Sequence, residues 1–101
     1  MGIDLSWKDE EGKSLGNVND EKNLFANALG NADLEDTVCL RFIDRYGDTI
    51  FNQLQVPILI SEIEHLQMST KDYPTVRQIA AILTLVQSSK ETHTYLKFYG
   101  D

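Results

Sequence analysis

Apolar and polar positions alternate from Ile3 to Lys8, with Ile3, Leu5 and Trp7 set between Asp4, Ser6 and Lys8. A period of two is that of a half-buried strand, predicted here over 2–8. Asp9-Glu10-Glu11-Gly12 reads as a turn, and 13–18 as a weaker returning strand whose large apolar residues are Leu15 and Val18. Asn19 or Asp20 can cap a short helix over 21–29, with Leu24, Phe25, Ala28 and Leu29 as its stripe. Gly30 is placed to end that helix in the left-handed region.

The pattern changes again over 38–54. Two apolar, β-prone runs flank the polar break Asp44-Arg45-Tyr46-Gly47-Asp48, which predicts a β-hairpin. On its first strand Val38, Leu40 and Phe42 share one face and Cys39, Arg41 and Ile43 the other; Ile50, Asn52 and Leu54 alternate with Thr49, Phe51 and Gln53 on its second. Apolar residues on both faces suggest a central, largely buried pair. The period then lengthens. Pro57 and Pro74 sit where proline suits a first helical turn, opening helices over about 56–67 and 74–88. Ile58, Leu59, Ile60, Ile63 and Leu66 give the first its apolar face, with Ser61, Glu62, Glu64 and His65 outward; Val76, Ile79, Ala80, Ile82, Leu83 and Val86 give the second its own. A final strand over 92–99 alternates Thr94, Leu96 and Phe98 with His93, Tyr95, Lys97 and Tyr99.

The predicted order is β-β-α-β-β-α-α-β. It argues for a single α+β domain over 1–101: an antiparallel or mixed sheet of four to five strands with two or three helices on one face. A chain of 101 residues buries roughly 60–65% of its unfolded surface, enough for one core. The lone cysteine, Cys39, permits no internal disulfide, and within a predicted strand it reads as a buried, inert thiol.

Charge adds an asymmetry. The net charge is −7, and residues 1–36 hold nine acids against three lysines, a balance of −6. Such a surface repels phosphate backbones, so nucleic acid is disfavoured as a partner, while a basic protein would be attracted. No stretch reads as membrane-spanning or as a signal peptide, so a cytoplasmic location is expected. The first six residues match the loose myristoylation pattern, but their alternation reads as strand.

Motifs of chemistry are few. His65, His93 and Cys39 show no zinc-site spacing, and the acidic stretches fail the EF-hand pattern, so no metal or cofactor is expected. Phosphate-binding glycine loops and the G-x-S-x-G elbow are missing. Three groups remain as candidate partner-binding residues: Asp33, Glu35 and Asp36 in an acidic loop; Asp44, Arg45, Tyr46 and Asp48 at the hairpin turn; and Tyr95 and Tyr99 on the last strand. Turn chemistry by itself accounts for the second group, since Asp and Gly are turn formers. Tyrosines on a strand suit a protein interface; beside Lys97 they would also suit base stacking, which the charge opposes.

Two functions stay open. One is an acidic protein-binding module, a stoichiometric inhibitor or immunity-type partner of a basic protein. The other is a small enzyme or ligand binder using Arg41, Asp44, Tyr46 and Asp48, with His93 brought near by the fold. Self-association is a third expectation, through the final strand if it lies at a sheet edge.

The stretch Leu40-Arg41-Phe42-Ile43-Asp44-Arg45-Tyr46-Gly47-Asp48-Thr49-Ile50-Phe51-Asn52-Gln53-Leu54-Gln55, together with Tyr95-Leu96-Lys97-Phe98-Tyr99-Gly100-Asp101, resembles a core segment of small uncharacterised bacterial proteins. That resemblance implies a bacterial cytosolic origin and no activity. In size and charge the chain is also similar, at the level of class, to toxin-neutralising immunity proteins, which share no common fold.

Overall fold

The opening alternation does form strand β1, Asp4–Asp9, in the computed structural model, which describes residues 2–100. The start of the myristoylation pattern, Met1, and the last residue of the resembling stretch, Asp101, lie outside the described residues. At the turn the Asp9 carboxylate accepts the N–H groups of Glu11 (3.0 Å) and Lys13 (2.9 Å). Gly12 takes φ +85, a conformation a side chain would strain. The chain returns as β2, Ser14–Val18, antiparallel to β1 with a register shift at Trp7/Lys8.

Helix α1 spans Leu24–Asn31. It starts later than predicted because Asn23 adopts φ 60, and it runs through Gly30, which is helical instead of ending it. The N-cap position falls on Asn23, whose side chain makes no capping bond; of the two residues expected to cap, Asp20 reaches the first turn from three positions earlier, its carboxylate accepting the N–H groups of Phe25 and Ala26, both at 3.0 Å.

The predicted hairpin is half right. Residues 38–43 form no strand; they carry a single 3₁₀ turn, Leu40–Phe42. Two observations explain why β-prone residues avoid the sheet. Glu62 accepts the N–H groups of Val38 (2.7 Å), Cys39 (3.0 Å) and Leu40 (2.9 Å), donors that a ladder would need. The buried residues are Cys39, Leu40 and Ile43, while Val38 and Phe42 are exposed, so burial follows no period of two. The second half does form a strand, β3, Asp48–Asn52.

Helices α2, Val56–Ser69, and α3, Tyr73–Ser88, carry their prolines in the first turn as expected. Asp72 caps α3 by accepting the Thr75 N–H at 3.1 Å. The last strand, β4, is Thr94–Tyr99; His93, with φ 63, stands outside it.

The four strands are all antiparallel, in the order β2-β1-β4-β3. β4 is therefore interior, and the edges are β2 and β3, which removes the final strand as an edge for self-association. Leu5, Phe51, Leu96 and Phe98 point to the helix side and join Phe25, Leu59, Ile63, Ile79, Ile82 and Val86 in the core. Phe98 lies at its centre, stacked on Phe25 (6.0 Å) and edge-on to Phe51 (5.9 Å). A Cβ on Gly16 would come within 2.6 Å of the Leu85 side chain, so glycine there lets α3 approach β2 closely. Among the described residues no helix is long and apolar enough to cross a membrane.

Candidate functional site

The acidic loop between α1 and the 3₁₀ turn is built by short-range turns. Asp33 Oδ1 accepts the Glu35 N–H at 3.1 Å, and both the N–H (3.0 Å) and the hydroxyl (2.7 Å) of Thr37 return to the Leu34 carbonyl. Asp33, Glu35 and Asp36 are all exposed. Asp33 and Asp36 line a groove of about 610 Å³ between this loop and α2; Glu35 does not. Its apolar wall includes Leu34, Leu40 and Leu66, and its α2 rim carries Glu62 and His65.

Glu62 and His65 are the residues that sequence reasoning missed, since the helical pattern turns both toward solvent. His65 is exposed, at the groove's edge, whereas Glu62 is half-buried and committed to three backbone donors. Those contacts join residues 22 to 24 positions apart, so no local pattern signals them.

Beneath this loop, Cys39 is buried as expected. Burial pushes its thiol above the ordinary value, and the neighbouring Glu62 carboxylate pushes the same way. The unfolded chain releases this proton at a lower pH than the folded one, so the thiol makes stability fall as pH rises above the ordinary thiol range. Labelling of Cys39 by a disulfide reagent at pH 8 is expected to track unfolding, roughly a hundredfold or more slower than for a free thiol. Fast, single-phase labelling of the native protein would contradict this.

The second group lies on exposed surface. Asp44, Arg45, Tyr46 and Asp48 are exposed and line none of the three cavities we describe, of about 610, 410 and 380 Å³. Asp44 Oδ1 accepts the Tyr46 N–H at 2.8 Å, and the Asp44 N–H donates to Thr49 Oγ1 at 2.8 Å. Asp48 faces Lys97 across 3.4 Å. The Asp44–Arg45 backbone lies against Gly100, where a Cβ would come within 2.4 Å of it. Arg41 turns away, its guanidinium on the Glu35 carbonyl at 3.3 Å. His93 sits at the other end of β4 beside Glu10 (3.6 Å), whereas Asp48 pairs with Tyr99. The length of β4 separates the two ends by about 20 Å, so His93 does not join this group.

The third group lies on the outer face of the sheet. Tyr95 and Tyr99 are half-buried there beside Lys97 and Lys8. The ammonium groups of Lys8 and Lys97 stand 5.5 and 4.8 Å from the Tyr99 ring centroid, and hydrogen bonding with Tyr99 raises the Lys8 pKa. Such contacts are favourable but modest at exposed positions. Among the described residues no group of three or more His, Cys, Asp or Glu side chains is arranged to hold a metal ion.

Of the sequence-selected residues, the fold therefore unites Asp33 with Asp36 in a groove, Asp44 with Asp48 around a filled turn, and Tyr95 with Tyr99 on an open face. No protein-family model, no curated protein and no solved structure matches the chain.

Proposed function

We propose that this protein is an acidic protein-binding module whose groove between the 31–37 loop and α2 receives a basic segment of a partner, as a stoichiometric inhibitor of the immunity type does. The observation that supports this reading is the pairing of Asp33 and Asp36 with the apolar wall of Leu34, Leu40 and Leu66. A lysine or arginine lays its aliphatic stem on apolar surface and keeps its charged head near water. Leu34 is the half-buried leucine of this lining, and Leu40 and Leu66 form its buried floor. The Glu62 charge is already met by three N–H donors, so Asp33 and Asp36 would do the recognising, with Glu35 adding long-range attraction. The net charge of −7 would steer a basic partner toward the surface. A bacterial cytoplasmic setting fits this reading.

The test is a rate. Proteins retained from a native bacterial lysate at low salt and eluted by rising salt identify the partner, and association is then timed with purified components. The triple variant Asp33→Asn, Glu35→Gln, Asp36→Asn is expected to associate roughly tenfold more slowly at low ionic strength and to lose most of the salt dependence. All three side chains are exposed, and Asp33→Asn keeps an oxygen that can accept the Glu35 N–H, so thermal stability should hold. Retention of no basic protein, or an unchanged rate and salt dependence, would overturn the proposal.

A further inference from the structure

Strand β3 is an edge with free hydrogen-bonding groups, and the register shows which they are. The Gly100 N–H donates to the Gly47 carbonyl at 2.7 Å, and Asp48 pairs with Tyr99. Gly47 and Gly100 are thus a hydrogen-bonded pair. By the alternation of antiparallel ladders, Thr49 with Phe98 and Phe51 with Leu96 are the next ones. The N–H and C=O groups of Asp48, Ile50 and Asn52 point the other way, off the sheet. Those of Asn52 are satisfied locally: its N–H donates to Gln55 Oε1 (2.8 Å) and its carbonyl accepts the Gln55 N–H (3.0 Å). Asp48 and Ile50 are left with two donors and two acceptors that have no partner among the described residues.

We infer that this edge pairs with a second copy of itself, antiparallel about a twofold axis at Thr49, giving a continuous eight-stranded sheet. In that register Asp48 lies opposite Ile50 of the other copy, and the reverse pair repeats it. All four free groups of each chain then find partners. No other antiparallel self-register does this; centring on Ile50 sets Asp48 against the occupied Asn52.

Three further observations favour self-pairing. β3 has no proline, lysine or bulge, and its one charge, Asp48, stands at its first position, whereas β2 at the opposite edge carries the register shift and Gly16. Around β3 the side chains Tyr46, Ile50 and Leu54 are 77%, 57% and 78% exposed, an apolar border for a dry contact. Charge does not oppose this occupant: Asp44, Arg45, Asp48 and Lys97 balance locally, with Asp48 paired to Lys97 at 3.4 Å. A neutral edge does not steer a basic protein, and it does not repel a copy of this acidic one. The pairing is independent of the groove reading, since Asp33, Glu35 and Asp36 take no part in it.

Sedimentation over roughly 10 μM to 1 mM, a range suited to a small interface, should show the mass rising from 11.5 kDa toward twice that value. Ile50→Glu should weaken the dimer at least about tenfold, because each new carboxylate faces Asp48 of the other copy. Within one chain the same residue lies opposite Lys97, so the fold should keep its thermal midpoint. Adding Asp48→Lys to Ile50→Glu puts opposite charges across the twofold and should restore the dimer. A mass that stays at the monomer value, a dimer indifferent to Ile50→Glu, or no recovery in the double variant would overturn the inference.

Discussion

Replacing Asp20 by alanine should lower the unfolding free energy by about 3–4 kcal/mol, the sum expected when buried donors lose their acceptor. Asp20 is only 2% exposed. Its carboxylate accepts from Ile3 (3.1 Å), Phe25 (3.0 Å) and Ala26 (3.0 Å), and its own N–H donates to Asp4 Oδ1 at 2.7 Å. One side chain thereby ties the start of β1 to the first turn of α1. Gly2 shows how close that approach is, since a Cβ there would come within 2.3 Å of the Asp20 carbonyl oxygen. An ordinary exposed cap contributes about 1 kcal/mol; the larger figure here follows from three donors buried together. For a domain of this length the thermal midpoint should fall by roughly 15 °C or more. Asp20→Asn, which keeps one oxygen, should fall between alanine and the native residue. A loss under about 1 kcal/mol for Asp20→Ala, measured by urea unfolding, would mean that water replaces the carboxylate and that this account is wrong.

The second large effect is expected at Glu62. Removing its carboxylate by Glu62→Ala strips three consecutive N–H groups of their acceptor and should cost about 2–3 kcal/mol, less than at Asp20 because Val38 is exposed. The informative readout is local. Residues 38–43 have no ladder to fall back on, so the segment should open and Cys39 should label roughly tenfold to a hundredfold faster than in the native protein. Glu62→Gln keeps an acceptor for Cys39 and Leu40, which share Oε1, and should show a smaller rise. If Cys39 labels at the native rate in Glu62→Ala, then apolar burial of Cys39, Leu40 and Ile43 holds the loop by itself. Because Glu62 also rims the groove, the variant should weaken partner binding while leaving the β3 edge intact.

Much of the fold is legible from local chemistry. The alternation at Ile3, Leu5 and Trp7, the first-turn prolines Pro57 and Pro74, and the apolar spacing around Ile79 and Val86 each specify an element without help from distant residues. The site is less legible. Asp33 and Asp36 stand out by charge, but the groove that unites them depends on where α2 packs. Glu62 reads as a solvent-facing helical residue because nothing near it in the chain shows the loop that needs its oxygens. The first run of the expected hairpin misleads for the same reason: the outer edge of β3 stays open beside it, but Glu62, 22 to 24 positions away, takes the N–H groups of Val38, Cys39 and Leu40 that a ladder would use.

The α+β class, the three helices, the strands that alternate cleanly and the acidic first third are written in the sequence, because these follow from periodicity and composition within a few residues. The tertiary structure alone decided that β4 is central and β3 an edge, that residues 38–43 leave the sheet, and that Glu62 holds them there. Strand order and loop satisfaction are set by contacts between positions tens of residues apart, where competition for backbone partners outweighs local preference.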